Sequence, residues 1–255
     1  MKILLTNDDG IYAPGLEALS RELPRLGSVD VVAPVVEQSG VSHSITYLDP
    51  LIVHDIYRDG RPFGRAVAGS PADCVKLSVL ELCDSPPDLV VSGINSGANS
   101  GINVLYSGTV AGAIEGAFFG ITSIAVSLSE SDAPDYAAAA RTAVDLIEQL
   151  LAGGVETGSL WNMNFPQTRP GWPVGVKALP MGLERYGEAM EKRTDPRGRT
   201  YYWSMTDPAA RDRVEPGTDV EALSKGYITL TPLHFNLTDF RRLAEVAGRK
   251  WSLRS

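Results

Sequence analysis

Cysteine, histidine and positive charge are all scarce in this sequence. Its 255 residues include only two cysteines, Cys74 and Cys83, which are too few for a disulfide framework. This scarcity of cysteine predicts a reducing, cytoplasmic setting. The three histidines, His43, His54 and His234, are spread too widely for a histidine metal motif. With 23 basic and 31 acidic side chains, the formal net charge is −8, which argues against DNA, RNA polymers or membrane surfaces as partners.

Long apolar runs and the common nucleotide-binding motifs are also missing. The uncharged stretch from Leu89 to Ile114 is long enough to cross a bilayer, but its many asparagines, serines and glycines make it too polar. The N-terminus reaches Asp8 before the apolar region of a signal peptide can form, so we expect neither a leader nor a membrane span. The sequence has no G-x-G-x-x-G after its first strand, no Walker lysine, no G-x-S-x-G elbow and no C-x-x-C pair.

Apolar runs that alternate with helical patterns predict a Rossmann-like, doubly wound α/β core with a mostly parallel sheet. Strand, helix and strand follow within about thirty residues, the pattern of a right-handed βαβ unit. The predicted strands are 3–6, 29–33, 51–54, 65–68, 89–92 and 121–128, and the predicted helices are 14–26, a helix capped by Ser70 and ending before Ser85, 108–120 and 134–151. We expect residues 1–170 to form this catalytic core.

The remainder, 171–255, is predicted to form a C-terminal region for oligomerisation. Aromatic residues within 184–205 flank the turn sequence 195–198, which predicts a long β-hairpin. A strand at 227–233 and a last helix capped by Thr238 follow. The hairpin has too little core of its own to stand alone, so we expect it and the last helix to pack against another subunit.

Three polar, glycine-containing loops follow predicted strands, and ligands in parallel sheets bind at the carboxyl ends of the strands. The loops are Asn7–Gly10, Glu37–Ser42 and Ser92–Gly101. Asp8 and Asp9 come directly after a buried strand, where two carboxylates are costly unless a cation such as Mg²⁺ or Mn²⁺ neutralises them. The alternative is a simple helix-leading turn, which we disfavour because the helix begins only at Pro14, too late for Asp8 to cap it.

A second kind of site is predicted where the uncharged loop runs into Tyr106–Thr109 and a helix begins. Backbone N–H groups and the helix dipole at such a start bind anions. The turn at Gly69–Ala72 is a weaker candidate, because a helix-capping box accounts for its residues without a ligand.

Two other classes of protein carry acids after a first strand. A receiver-type signalling domain also needs a phospho-accepting aspartate after a central strand and a distant lysine, whereas this sequence has Ser92–Asn95 at that position. Aspartyl-phosphate phosphatases carry D-x-D, but adjacent Asp8 and Asp9 point apart. These classes can be separated by incubating the protein with a phosphodonor and measuring whether the phosphate recovered is acid-stable or acid-labile.

Several sequence blocks together resemble the SurE survival-protein family. The blocks are Asn7–Gly10, Pro34–Gly40, Gly69–Val75, Ser92–Asn95 and Tyr106–Val110, with 226–227 and 231–233 near the C-terminus. Ser70 stands where the family more often has threonine. The resemblance implies a metal-dependent nucleotidase that hydrolyses nucleoside 5′-monophosphates, and as a second substrate class 3′-monophosphates, to nucleoside and phosphate. It also implies a homodimer or homotetramer built through a protruding hairpin and an exchanged C-terminal segment.

The resemblance further implies roles for individual residues. The ligands of one divalent ion per subunit, Mg²⁺ or Mn²⁺, would be Asp8, Asp9, Ser39 and Asn95. Asp8 and Asn95 would be catalytic, with Asp8 orienting or deprotonating the attacking water. The phosphate or substrate would contact Gly40, Asn99, Ser107, Gly108 and Thr109. Since a metal can activate water directly, no cysteine or serine nucleophile is required.

Overall fold

The computed structural model describes residues 1–184, 188–206 and 214–252, which form eleven strands and six α-helices. The strands are β1 Lys2–Thr6, β2 Ser28–Pro34, β3 Val53–Arg58, β4 Arg61–Val67, β5 Leu89–Ser96, β6 Thr122–Leu128, β7 Leu160–Phe165, β8 Gly175–Ala178, β9 Glu188–Thr194, β10 Thr200–Thr206 and β11 Tyr227–Leu233. The helices are α1 Pro14–Glu22, α2 Pro71–Leu77, α3 Gly108–Phe118, α4 Tyr136–Ala152, α5 Asp219–Ser224 and α6 Phe240–Ala247. The predicted alternation of strands and helices is confirmed.

Nine strands form one sheet in the order β3-β4-β2-β1-β5-β6-β7-β11-β8. All neighbouring pairs are parallel except β3 with β4 and β7 with β11. From β1 the chain builds outward to β2 on one side and to β5, β6 and β7 on the other. The order therefore reverses between β1 and β5, and this doubly wound arrangement makes their carboxyl ends the expected ligand site.

Alternating residues of β1 supply two apolar layers, one on each face of the sheet. Ile3 and Leu5 pack with the buried side of α1 and α4, where Leu16 and Ala140 lie. Leu4 points to the opposite face and belongs to a cluster with α2. Because strand side chains alternate in direction, an apolar run covered by helices on both faces is the sequence signature of such a strand.

The helix boundaries follow local chemistry. The predicted cap of α2 is confirmed, since Ser70 and Asp73 form a reciprocal capping box. The first helix ends at Glu22 instead of 26, because Pro24 has no N–H for an α-helical bond and a 3₁₀ turn follows. The cap of α6 is Asp239, not Thr238: its side chain accepts from the Arg242 N–H at 3.0 Å. No helix in the described ranges is long and apolar enough to cross a membrane.

The chain beyond residue 170 divides between the main sheet and a separate hairpin. β8 and β11 extend the main sheet, whereas β9 and β10 form a two-stranded antiparallel sheet of their own. This confirms the predicted hairpin; residues 185–187, 207–213 and 253–255 of the C-terminal region lie outside the described ranges. The division into 1–170 and 171–255 stays a prediction, and two strands after residue 170 belong to the core sheet.

Candidate metal and phosphate site

A cavity of about 250 Å³ lies where the carboxyl ends of β1 and β5 meet the start of α3. Six of the nine predicted site residues line it: Asp8, Ser39, Gly40, Asn95, Asn99 and Ser107. The other three adjoin this set, since Thr109 and Gly108 contact Asp8, and Asp9 contacts Ser96. The structure brings all nine residues together at the reversal of strand order, while their individual roles stay predictions.

A tight turn from Asn7 to Gly10 presents the two acids. The Asn7 side chain accepts from the Gly10 N–H at 3.2 Å and donates to the Gly10 carbonyl oxygen at 3.0 Å. Gly10 has a φ of +96°, which glycine adopts without strain. Asp8 and Asp9 then face different neighbours, Asp8 towards α3 and Asp9 towards the end of β5.

Asp8 is almost fully buried against the first turn of α3. The Thr109 hydroxyl donates to its Oδ1. A Cβ on Gly108 would lie 2.9 Å from the Asp8 Cβ and 3.0 Å from Oδ2, so glycine is needed for the helix to begin this close. Burial raises the pKa of Asp8, the Thr109 hydrogen bond opposes that rise, and the Glu37 carboxylate adds to it.

Asp9 is less buried, and burial raises its pKa to about 6. The Ser96 N–H, which donates to Oδ2 at 3.0 Å, opposes the rise, while the charges of Asp8 and Glu37 add to it. Three carboxylates therefore converge at this edge of the sheet. Sequence reasoning missed Glu37, although its charge in the loop that also carries Ser39 was a usable signal.

Ser39 and Asn95 contribute neutral oxygens beside the acids. The Ser39 hydroxyl donates to Oε1 of Glu37 at 2.5 Å, so its oxygen lone pairs are not used in that bond. The Asn95 side-chain amide donates to the Gly97 carbonyl oxygen at 2.7 Å, and its own amide oxygen is not used there. Both side chains line the cavity with Asp8.

An irregularity in β5 brings Asn95 to this edge. The pairing of β5 with β6 shifts between Ser92 and Asn95. Within the shift, a Cβ on Gly93 would lie 2.2 Å from the carbonyl oxygen of Val126, so the two backbones approach more closely than any side chain allows. Bulges with glycine commonly redirect a side chain next to a site, and here the redirected residue is Asn95.

This set of donors fits a hard divalent cation. No three His, Cys, Asp or Glu side chains in the described ranges are arranged as metal ligands, so a metal here would combine two carboxylates with neutral oxygens. Burial and a further acid raise the pKa values of Asp8 and Asp9, because no positive charge compensates their ionised forms, and a bound cation would supply that charge. Mg²⁺ and Mn²⁺ prefer such all-oxygen sites.

The start of α3, where the sequence predicts an anion site, also lines the cavity. Ser107 caps the helix, because its Oγ accepts from the Val110 N–H at 3.1 Å. The hydroxyl of Thr109, predicted on the phosphate side, instead bonds Asp8. The remaining N–H groups of the first turn, from Gly108 onward, are the groups that helix starts offer to anions. Gly40, whose absent Cβ would meet nothing within 4 Å, leaves room opposite them.

Two asparagines of β7 that were not predicted as site residues bind Asn99. The Asn99 N–H donates to Oδ1 of Asn164 at 2.8 Å, and the Asn162 side chain donates to the Asn99 carbonyl oxygen at 2.8 Å. The Asn99 side chain itself donates to the Ser127 hydroxyl at 2.9 Å. Buried asparagines alternating in an apolar strand were the available signal, but this strand itself was not predicted.

The Gly69–Ala72 turn has a use that the sequence did not show. The Ser70 hydroxyl donates to the carbonyl oxygen of Ser44 at 2.6 Å, and the Thr46 N–H donates to Asp73 Oδ2 at 2.9 Å. The capping box of α2 thus anchors the distal part of the loop that carries Ser39. The predicted capping box is therefore present, and the Ser70 hydroxyl and the Asp73 carboxylate also bond to the chain itself.

His43 attaches the same loop to α3. Its Nε2 lies 2.7 Å from Oε2 of the buried Glu115, and its ring lies 5.1 Å from that of Phe118. The Gln38 N–H donates to the Asp8 carbonyl oxygen at 2.7 Å at the other end of the loop. The loop is therefore tied to three elements around the cavity.

An α/β protein with acids, amides and a helix start gathered at the reversal of strand order has the site architecture of a phosphoryl-transfer enzyme. The sequence model described as Survival protein SurE matches residues 3–188. The chain belongs to the SurE family, and the predicted resemblance is confirmed.

Individual relatives match over nearly their whole length. A protein named 5′-nucleotidase SurE from Rhodopirellula baltica is 56% identical over 255 residues, covering 100% of both chains. Another of that name from Syntrophobacter fumaroxidans is 45% identical over 253 residues, covering 99% of this chain and 100% of the relative. The crystal structure of the SurE protein from Aquifex aeolicus superposes with a TM-score of 0.85 at 39% identity, covering 96% of this chain and 98% of that one. The predicted fold class is confirmed.

Proposed function

We propose that this protein is a metal-dependent phosphomonoesterase that hydrolyses nucleoside 5′-monophosphates to nucleoside and phosphate. The observation that carries the proposal is that the buried Asp8 and the partly buried Asp9 lie beside the start of α3, an arrangement that supports a cation site next to an anion site. Relatives named 5′-nucleotidase SurE, at 43–56% identity over nearly the whole chain, support a nucleotidase. Whether 3′-monophosphates are also cleaved belongs to the same substrate test.

One divalent cation per subunit, Mg²⁺ or Mn²⁺, held by Asp8, Asp9, Ser39 and Asn95, would activate water and neutralise phosphoryl charge. Thr109 donates to Oδ1 of Asp8, and Oδ2, whose lone pairs are not used in that bond, would take the proton of the attacking water. That oxygen also adjoins Gly108, where helix N–H groups bind the phosphate oxygens. As water attacks phosphorus, the bond to the nucleoside oxygen would break, with the proton of the attacking water passing to Asp8 and the nucleoside oxygen taking a proton from solvent water.

Phosphate release from a panel of nucleoside 5′- and 3′-monophosphates tests this function. We expect release with Mg²⁺ or Mn²⁺ and none after removal of metal with EDTA. A folded, metal-supplied protein that releases phosphate from no nucleotide would contradict the proposal. In that case an acid-labile phosphoprotein, formed with a phosphodonor, would favour a receiver-like or aspartyl-phosphate chemistry.

We further propose a cytoplasmic homodimer or homotetramer assembled through the hairpin and α6. Helix α6 buries no residue, and its Phe240 and Leu243 are exposed, as are Tyr202 and Trp203 of the hairpin. Exposed apolar residues clustered on two elements are typical of subunit interfaces. The double variant Phe240→Glu with Leu243→Glu should lower the molar mass measured by light scattering; an unchanged mass would exclude α6 from the interface. The two cysteines are free thiols, which suits the cytoplasm.

A further inference from the structure

A second cavity, of about 740 Å³, lies directly beside the candidate site. It is bounded by the ends of β5 and β6, by 129–134 and by Gln167 with Thr168. The two cavities share Ser96 and Glu130. Its volume is in the range of small-molecule sites, and the shared residues place it next to the cavity at Asp8.

Glu130 stands at the junction of the two cavities. Its backbone is fixed, since Gln167 Nε2 donates to its carbonyl oxygen at 2.7 Å and the neighbouring Ser129 N–H donates to the Phe165 carbonyl oxygen at 2.9 Å. Its Oε1 would lie 3.6 Å from a Cβ built on Gly97, a point that is 3.8 Å from the Asn95 side-chain nitrogen. The carboxylate is therefore near the side chain of the predicted metal ligand Asn95, and Glu130 lines both cavities.

The Glu130 carboxylate is distinct from the acids that hold the cation. Glu37 is among the groups that raise the pKa of Asp8 and Asp9, and Glu130 is not. In the described part of the chain, no side chain forms an ion pair or hydrogen bond with this carboxylate. An ionised carboxylate only accepts hydrogen bonds, so the complementary ligand group is a neutral donor.

The proposed substrate class supplies such a donor. In a nucleoside 5′-monophosphate, the ribose carries the phosphate on its 5′ oxygen and a pair of hydroxyls at its 2′ and 3′ positions. Carboxylates bind ribose hydroxyls in this way at the edge of dinucleotide-binding sheets. A second polar atom of the same cavity also indicates a ligand there. Ser131 Oγ is buried without a hydrogen-bond partner among the described residues, whereas buried hydroxyls are normally hydrogen-bonded.

We propose that Glu130 determines specificity by accepting hydrogen bonds from the ribose hydroxyls, and that the larger cavity receives the nucleoside. The proposal rests on the nucleotidase function above. It assigns Glu130 a contact with substrate away from the reacting phosphorus, and it makes the protein selective for ribonucleotides over 2′-deoxyribonucleotides.

The test compares Glu130→Gln with wild type on three substrates: a ribonucleoside 5′-monophosphate, its 2′-deoxy counterpart and p-nitrophenyl phosphate. Hydrogen bonds to charged groups contribute roughly 10-fold to 100-fold in affinity, so we expect kcat/KM for the ribonucleotide to fall about 10-fold, mainly through KM. The ratio of ribo- to deoxyribonucleotide kcat/KM should fall towards one. Glu148→Gln, an exposed glutamate on α4 outside both cavities, is the matched control and should keep the wild-type ratio.

Equal losses of kcat/KM on all three substrates would overturn the proposal, because Glu130 would then act at the phosphate or cation. An unchanged ratio of ribo- to deoxyribonucleotide kcat/KM would also overturn it. Calorimetric titration with adenosine and 2′-deoxyadenosine tests the subsite without turnover. We expect wild type to bind adenosine more tightly and Glu130→Gln to lose the difference; a difference that persists in the variant overturns the subsite. If wild type releases no phosphate from any substrate, the proposed function fails, while the titration still decides the role of Glu130.

Discussion

The hydroxyl of Thr109 donates a hydrogen bond to Oδ1 of Asp8, and both side chains are buried. This bond joins the first turn of α3 to the turn that follows β1, so the anion side and the acid side of the cavity are held as one unit. It is also the largest influence that lowers the pKa of Asp8 against the effect of burial.

Thr109→Val should therefore impair catalysis more than folding. Without the hydroxyl, the pKa of Asp8 rises further, so we expect the acidic limb of the pH profile of kcat to move to higher pH. At pH 7, kcat should fall about 10-fold, because a hydrogen bond of about 1–2 kcal/mol to a charged group is lost. Thr229→Val is the control, because the buried Thr229 hydroxyl has no partner among the described residues. Superimposable pH profiles for wild type and Thr109→Val would contradict the prediction.

Asp8→Asn and Asn95→Ala separate proton transfer from metal binding. Asp8→Asn keeps an oxygen but removes the base, and kcat at saturating Mn²⁺ should fall by about 10²–10⁴-fold. Asn95→Ala removes a neutral ligand, so excess Mn²⁺ should restore more of its activity. Melting curves measured in parallel exclude unfolding as the cause. A near-wild-type kcat for Asp8→Asn would leave Asp8 at most a metal ligand.

Asp9 should destabilise the metal-free protein at neutral pH. Its pKa is raised to about 6 in the folded state, so the folded protein binds its proton more tightly than the unfolded chain does. The free energy of unfolding then falls between about pH 4 and pH 6, and the full cost persists above pH 6. In EDTA, Asp9→Asn should raise Tm at pH 7.5 by about 2–4 °C, the effect of roughly 1 kcal/mol after allowing for solvent screening, and leave it unchanged at pH 4.

The exposed Asp49→Asn is the control for that titration. A lower Tm for Asp9→Asn at pH 7.5 in EDTA would show that the Ser96 hydrogen bond outweighs burial. Added Mn²⁺ should stabilise wild type more than Asp9→Asn, because a ligand that binds only the folded state adds its binding free energy to stability.

Asp73→Asn should weaken metal binding from a distance. The substitution leaves one neutral side-chain oxygen in place of the two carboxylate oxygens that accept from the Thr46 N–H, and so loosens the loop that carries Ser39. Outer-shell changes typically cost 10–100-fold in metal affinity, so we expect the Mn²⁺ concentration for half-maximal activity to rise about 10-fold, with kcat recovered at saturation. Asp135→Asn makes the same change at the cap of α4, away from this loop, and should leave that concentration unchanged. Hydrogen exchange at 39–46 should accelerate in Asp73→Asn alone; equal rates in both variants would exclude the anchor.

Local patterns in the sequence determined the parts of the fold that depend on local physics. The apolar runs at β1, β5 and β6 indicated buried parallel strands, and Ser70 with Pro71 and Asp73 identified the start of α2. A missed local signal was Asp59-Gly60, whose positive φ values form the β3–β4 turn. The acid pair after β1 was visible because charge directly after a buried strand requires compensation.

Only the tertiary structure decided which groups interact with the carboxylates of Asp8 and Asp9. Thr109, Glu37 and Ser96 reach Asp8 or Asp9 from three segments far apart in the chain, and nothing in their local sequence encodes those contacts. The junction at Glu130 likewise exists only because β5 and β6 end side by side. Backbone preferences act over a few residues and leave a periodic trace in the sequence. Burial, charge coupling and shared cavities depend on distances through space, which are fixed only when the sheet has its order and register.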